Sequence, residues 1–485
     1  MTDIVPERLY DPRRLARNVL ASVAGEGISK GAAFLAAVVV ARTVTAADFG
    51  RFSFVVALVG FALLLSDVGL QVAGTRLVAA DRERTRAFLG AALVLGVGLA
   101  VLCYTALGAA ALLGFLPEGT ARPVAIFATV LIFGAGTNAY WSVLRGHERQ
   151  DLVYLSYSIS SLALLAGVVS ASIAGASLEA ILVVYVAAYL LRFVLAFALA
   201  RIDRERVRPS LETDTMRLLV RAAPAIAVAY VLLGVYSHMD VVLLGFFVSP
   251  EDVGDYGAAY RLVDAAVFLT AGAATTAAFP VFARLARDAA AAAYDLYARL
   301  GRLLAAILTP ATLVAIALAE PLTELVYGSG LESADRLLAL LAPSILLIAL
   351  NYLTALFALA IELTRLAVAC TAAAAAVNIG TNLVAVPLVG VEGAALATFL
   401  GEVVLVACFA VGLRRAGHGF GLAVPAATGL LLVAVPVGVA ALVDEARTPI
   451  LLAGALLAVV AARPLGLIRA RDATLVRQLV FRRPA

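Results

Sequence analysis

Glu26 and Lys30 stand four residues apart within one apolar run. In a helix that spacing puts both on one face, with the acid towards the amino terminus, the favoured order for an ion pair. Gly25, Gly27 and Gly31 surround them and would let the helix bend there. Asp67, Arg192 and Asp240 are also isolated in apolar runs, Asp240 just after His238, and Arg261 and Asp264 follow at i and i+3. If such runs cross a bilayer, a charge at the centre costs about 2.5–3.5 kcal/mol on insertion scales, so ionisable groups there are candidates for holding a polar cargo or a coupling ion. A self-neutralising ion pair is the competing account of Glu26 and Lys30. Snorkelling to an interface is the competing account of Arg261 and Arg192, and a position near an interface that of Asp67.

Neutral polar residues join them: Asn138 and Trp141 in one run, then Asn351, then Asn378 and Asn382 on one helix face. Buried amides commonly tie helices together, and Glu402 is either a cavity group or a partner for one of them. His238 is the one histidine within an apolar run and a proton-relay candidate, whereas His147 and His418 fall in loops and are expected to be solvated. Cys103, Cys370 and Cys408 lie far apart in apolar runs and read as packing residues. Neither a metal-ligand spacing nor a disulfide framework is present.

These residues need elements that hold them inside a membrane. Of 485 residues 63% are hydrophobic and 14% charged, and the mean hydropathy is +1.01. A soluble domain needs a charged, mixed surface. Here apolar blocks of roughly twenty residues recur, the length of a membrane-crossing helix, with no series of short alternating strands to suggest a barrel. About fourteen spans are expected, near 18–41, 52–74, 88–115, 123–144, 152–174, 178–200, 219–247, 257–283, 301–320, 336–361, 366–389, 392–413, 421–443 and 449–468. No small-residue cleavage site follows the first, so no removable signal peptide is expected. Pro224, Pro280, Pro310, Pro343, Pro387, Pro425 and Pro436 are expected to interrupt spans, as in transporters with bent helices.

Arginine sets the direction, Lys30 being the only lysine. With both termini inside, the inner segments collect Arg76, Arg82, Arg84, Arg145, Arg149, Arg201, Arg204, Arg206, Arg208, Arg284, Arg287 and the tail from Arg469. The outer loops keep only Arg42, Arg51, Arg122, Arg336 and Arg447, the asymmetry of the positive-inside rule. The net charge of +4 is spread over many loops rather than one patch, so no nucleic acid partner is expected.

Ala47-Asp48-Phe49-Gly50-Arg51-Phe52 is echoed by Glu251-Asp252-Val253-Gly254-Asp255-Tyr256, each an Asp-x-Gly-x-aromatic turn after an apolar span. Six spans separate the copies, an even number, which implies parallel repeats. No nucleotide-binding Gly-x-x-x-x-Gly-Lys-Ser/Thr, His-Glu-x-x-His or nucleophile elbow occurs, and no long soluble connector could host an active site. The expectation is a transporter rather than an enzyme, with no cofactor.

Ala41-Arg-Thr-Val-Thr-Ala-Ala-Asp-Phe-Gly-Arg-Phe-Ser53 with Leu65-Ser-Asp-Val-Gly-Leu70 resembles the amino-terminal signature of polysaccharide and oligosaccharide flippases. Tyr236-Ser-His-Met-Asp240 with Leu243-Leu-Gly245, Val253-Gly-Asp-Tyr-Gly-Ala-Ala-Tyr260 and Pro387-Leu-Val-Gly-Val-Glu-Gly-Ala-Ala395 continue the likeness over nearly the whole chain. These flippases belong to the MOP superfamily, with the multidrug MATE exporters and the lipid II flippases. The resemblance implies an all-α, MATE-like integral membrane fold of two six-helix lobes plus two carboxyl-terminal helices. Here these would be residues 1–200, a cytoplasmic connector at 201–217, residues 218–413, and two helices with the basic tail at 414–485. It also implies alternating access, in the cytoplasmic membrane, of a lipid-linked oligosaccharide or polysaccharide for surface glycan or glycoprotein assembly. Lys30, Arg261 and Arg192 would meet the anionic head group. Glu26, Asp67, Asp240 and Asp264 would be their partners or ligands of a coupling ion, H+ or Na+. Membrane lipids and glycan-assembly enzymes are the other partners implied. The shared fold leaves an ion-coupled drug or cation antiporter, a lipid II flippase and a non-transporting scaffold as alternatives. The small number of buried cations argues against the peptidoglycan precursor.

Overall fold

The structure, a computed structural model, describes residues 12–203, 209–443 and 446–468. The segment before Pro12, with Arg8, the connector arginines Arg204, Arg206 and Arg208, and the tail from Arg469 lie outside the described residues. Within lipid, each backbone N–H and C=O needs an internal partner, which is why apolar runs of this length become helices. Among the described residues there is no strand.

The helices are α1 (Pro12–Thr43), α2 (Ala46–Asp67), α3 (Leu70–Ala80), α4 (Thr85–Leu112), α5 (Ala121–Phe127), α6 (Val130–Gly146), α7 (Gln150–Ile173), α8 (Leu178–Asp203) and α9 (Thr213–Phe247). Then follow α10 (Pro250–Val267), a π-helical turn at Phe268–Gly272, α11 (Ala273–Asp288), α12 (Ala290–Ala317), α13 (Ala319–Tyr327) and α14 (Ala334–Ala360). The chain ends with α15 (Thr364–Val389), α16 (Glu392–Arg415), α17 (Ala423–Leu442) and α18 (Arg447–Ala461). Among the described residues 11 helical segments are long and apolar enough to cross a membrane. The remaining expected spans fall on α9, on α10 with α11, and on α18. Of these, α10 carries Glu251, Asp252, Asp255, Arg261 and Asp264, and α18 has only 15 residues.

The breaks fall away from the prolines. Pro310, Pro343, Pro387 and Pro436 lie inside continuous helices, whose freed carbonyls neighbouring turns can satisfy. The second span breaks instead between α2 and α3, where Val68 and Gly69 have φ of 37° and 78°. The fourth breaks between α5 and α6. At the start of α10, Ser249 accepts the Asp252 N–H at 3.2 Å and Pro250 takes the first helical position. Cap, proline and early acids together favour a helix start there.

The chain divides into two compact units: residues up to Val44 with Phe54–Gly234, and Thr45–Ser53 with residues from Val235. In the first, α1 packs along α7, α7 along α8, and α6 lies among α3, α4 and α8. Small residues permit the close approach that packing in lipid depends on: a Cβ on Gly136 of α6 would stand 2.5 Å from the Phe193 ring of α8. Nearby, Tyr140 meets Phe197 edge-on at 5.4 Å. In the second unit α14 is surrounded by α10, α12 and α16, while α17 and α18 pack on α12. Phe357 of α14 stacks on Tyr297 of α12 at 4.3 Å, and the Tyr297 and Thr354 hydroxyls lie 3.0 Å apart.

Candidate functional site

Two networks form around carboxylates inside the spans, one in each unit. In the first unit Asp67 ends α2 at the break. Its Oδ1 accepts the Gln71 N–H at 3.3 Å, in the first turn of α3, and the Asn138 amide of α6 at 3.2 Å. The helix start supplies donors that have no partner within the helix, which suits a carboxylate there. Gln71 Nε2 donates to Asn138 Oδ1 at 3.3 Å, and Arg145 Nη1 to Gln71 Oε1 at 3.3 Å. Asp67 is buried, and its Oδ2 has no hydrogen-bond partner.

Asp67, Gln71 and Asn138 line a cavity of about 220 Å³, together with Trp141, Tyr189 and Arg192. Arg192 of α8 does not reach for an interface. Its guanidinium lies 4.4 Å from the Tyr157 ring centre and 4.8 Å from that of Tyr189, and Nε donates to Ser160 at 2.9 Å. The indole of Trp141 is fixed by donation to Ser156 at 3.0 Å and by an edge contact with Tyr157.

In the second unit Asp240 of α9 is buried. Its Oδ1 accepts from Asn382 at 2.9 Å, and Oδ2 accepts from the hydroxyls of Tyr256 at 3.1 Å and Thr398 at 2.9 Å. Asn382 Nδ2 also donates to the Asn378 carbonyl at 3.0 Å, and its buried Oδ1 has no partner. Four helices, α9, α10, α15 and α16, thus converge on one carboxylate through neutral groups. Beside it, the Asn351 amide donates to Glu402 Oε2 at 2.6 Å. Among the described residues no group of three or more His, Cys, Asp or Glu gathers as a metal cluster.

The other expected residues are held differently. Glu26 and Lys30 form an ion pair at 3.3 Å, with the lysine side chain half-exposed. Arg261 lies over Phe49 at 5.1 Å and Phe52 at 5.7 Å and donates to Ser53 at 3.2 Å, an aromatic seat within the second unit. Asp264 is exposed one turn further along α10. His147 is a correction: it is buried, with Nε2 3.1 Å from the Thr85 hydroxyl, because the loop after α6 folds back onto the start of α4. Sequence reasoning passed over Gln71, Tyr157, Tyr189, Tyr256 and Thr398. Gln71 one turn after Asp67, and Tyr189 three residues before Arg192, were the signals that could have found two of them.

A helical, multi-pass membrane protein with polar networks inside its spans is the class these features define. Over residues 15–286, more than half of its length, the chain matches the family described as "Polysaccharide biosynthesis protein", and it belongs to that family. Among solved structures it resembles the lipid II flippase MurJ in an inward closed conformation, with a TM-score of 0.73 at 14% identity, covering 96% of this chain and 100% of that one. An inward-facing multidrug resistance MATE transporter of the MOP superfamily gives 0.68 at 12% identity, with 82% and 98% covered. A MOP superfamily transporter from Pyrococcus furiosus gives 0.58 at 15%, with 83% and 95% covered. These likenesses are of fold. No curated protein sequence matches the chain.

Proposed function

We propose that the protein is a flippase that moves lipid-linked oligosaccharide or polysaccharide units across the cytoplasmic membrane by alternating access, for surface glycan or glycoprotein assembly. The observation that carries this reading is the family match over residues 15–286. A sugar head group cannot cross hydrocarbon unaided, since each hydroxyl stripped of its hydrogen bonds costs roughly 2–7 kcal/mol. Polar groups inside the spans lower that barrier while the lipid tail stays among lipids. The arginine distribution supports cytoplasmic termini. Glu26, Lys30, Asp67, Arg192, Asp240, Arg261 and Asp264 remain the residues proposed to serve cargo or ion.

Asp240 is the proposed coupling site. Its hydrogen-bond partners are neutral, and a buried charge with no matching charge is costly. A proton or Na+ would supply that match, with the oxygens of Asn378, Asn382 and Thr398 alongside. Loading and unloading of this site would link an ion gradient to the transport cycle.

The likeness to MATE transporters favours, as a second reading, an ion-coupled exporter of organic cations. A strain deleted for this gene and its relatives separates the two. The flippase reading expects lost surface glycan and lipid-linked precursor held on the inner leaflet, both restored by wild type and not by an equally expressed Asp240→Asn variant. Normal glycan export in that strain would refute it, and lost efflux of small cations with intact glycan would favour the exporter.

A further inference from the structure

Cys370 and Cys408 read from the sequence as packing residues, 38 positions apart, and the fold brings them together. We propose that they form a redox-active dithiol within the membrane, which a lipid-soluble quinone closes to an intramolecular disulfide. Cys370 lies on α15 and Cys408 on α16, helices that pack along one another. Both thiols are free, and they stand in hydrogen-bonding contact. The third cysteine, Cys103, is on α4 in the first unit.

The register of the helix pair sets this meeting. α15 and α16 run antiparallel from the turn at Gly390. A Cβ on Gly401 would stand 3.3 Å from the Asn378 Cβ, and one on Gly412 would run into the Leu366 side chain. From the first contact to the second, α15 goes back twelve residues while α16 advances eleven. Cys370 and Cys408 fall on the same line, eight residues back from Asn378 and seven on from Gly401. Nearer the turn, a Cβ on Gly393 would stand 2.6 Å from the Ala385 carbonyl carbon. Glycines on α16 thus let the two backbones approach closely. A disulfide needs such an approach, with Cα atoms about 4.4–6.8 Å apart.

Position selects the oxidant. Cys370 stands six residues after Thr364 and Cys408 seven before Arg415, so roughly 9 and 11 Å inside the helix ends at about 1.5 Å per residue. Cys370 is buried and Cys408 is partly exposed, on a helix whose exposed side chains to either side of it, Val403 and Val411, are apolar. A charged oxidant such as oxidised glutathione would have to give up its hydration to arrive there. A quinone dissolves in hydrocarbon and is neutral before and after the reaction. Two S–H bonds break and one S–S bond forms. The quinone takes both electrons and both protons and leaves as the hydroquinone, so no net charge is created in the apolar phase. The link joins the two helices that supply Asn382 and Thr398 to Asp240.

The test uses the purified, reduced full-length protein in lipid nanodiscs and decylubiquinone, whose fully substituted ring leaves no free position for a thiol to add. Remaining thiols are counted by alkylation after denaturation. Wild type should fall from three free thiols to one, with one hydroquinone formed per link. Mass spectrometry should find the peptides of Cys370 and Cys408 joined, with the loss of two hydrogens. This reading on wild type does not depend on the folding of any variant. Cys370→Ser and Cys408→Ser should each keep two thiols, and Cys103→Ser should go from two to none. Closure should raise the melting temperature of wild type, since a cross-link restricts the unfolded chain, and the same treatment should leave that of Cys370→Ser unchanged. Three thiols remaining after quinone treatment overturn the assignment, as does a link through Cys103 or between two copies of the chain. Closure by oxidised glutathione at the same rate overturns the choice of a lipid-phase oxidant.

Discussion

Gly50 and Gly254 meet backbone to backbone: a Cβ on Gly254 would stand 3.1 Å from the Gly50 nitrogen and 3.4 Å from its Cα. The two glycines hold the same place in the two Asp-x-Gly-x-aromatic motifs, which are expected as turns and instead form the beginnings of α2 and α10. The repeated motif therefore pairs with its own copy, each presenting the same position to the other, as in an isologous contact. On the other side a Cβ on Gly50 would run into the Pro250 carbonyl oxygen. Only a backbone shift could make room.

Gly50→Ala should accordingly destabilise the protein by about 1–3 kcal/mol or more, the usual range for overpacking. Gly254→Ala should act in the same direction. Gly108→Ala, in α4 with nothing within 4 Å of the added carbon, should be neutral or mildly stabilising, by up to about 1 kcal/mol. Thermal unfolding of the three purified variants checks this. Equal melting of Gly50→Ala and Gly108→Ala would refute the close contact.

Around Asp240, hydrogen bonds to a charged group are each worth about 1.5–3 kcal/mol. Thr398→Val removes one donor, at 2.9 Å, and should destabilise by about that much. In an Asp240→Asn background the same change should cost less, because the carboxylate it serves is gone. A double-mutant cycle by thermal unfolding measures the coupling. Additive effects would show that Thr398 does not act through Asp240. If Asp240 is the coupling site, Na+ should also stabilise wild type, and Asp240→Asn should lose that response.

The charged residues were legible in the sequence because a carboxylate or guanidinium stands out in an apolar run, and that is how Asp67, Arg192 and Asp240 were found. Their partners were not, because pairing is tertiary. Asn138 is 71 residues from Asp67, and Thr398 is 158 residues from Asp240. Nothing in their local patterns distinguishes them from amides and hydroxyls that tie helices together. The same limit hid the seat of Arg261, where an intramembrane arginine lies over Phe49 and Phe52. Helix breaks were misread because proline is visible and a positive φ is not. Val68 is β-branched and gives no hint of a turn.

Asp255 supplies a pH dependence at the start of α10, before the apolar stretch expected from residue 257. Its Oδ2 accepts the Ser333 N–H at 3.0 Å, and its Oδ1 is buried without a partner. Burial pushes its pKa up to about 6, with Asp252, Glu332 and Asp335 adding to the rise against the Ser333 hydrogen bond. The unfolded chain releases this proton near 3.9. Between about pH 4 and 6 the folded state therefore holds more protons, and stability falls as pH rises through that window. Wild type should melt higher at pH 5 than at pH 7.5, and Asp255→Asn, which keeps an acceptor for Ser333, should shrink the difference. An unchanged difference would exclude Asp255 as its source.

The break before α3 gives the last prediction. Gly69 has φ of 78°, in the left-handed region, where a side chain costs roughly 1–2 kcal/mol. Gly69→Ala should destabilise by about that amount. Val68, at φ of 37°, already bears strain, since a β-branched residue is rarely found there. Val68→Gly should relieve it, and its melting temperature should exceed that of Gly69→Ala. Asp67 immediately precedes the break, and its carboxylate holds the first turn of α3 through Gln71. A change in the break should therefore reach the cavity that Trp141 lines. Gly69→Ala should shift tryptophan emission as well as melting temperature. Lower stability with unaltered emission would mean that the break holds the helix but not the site.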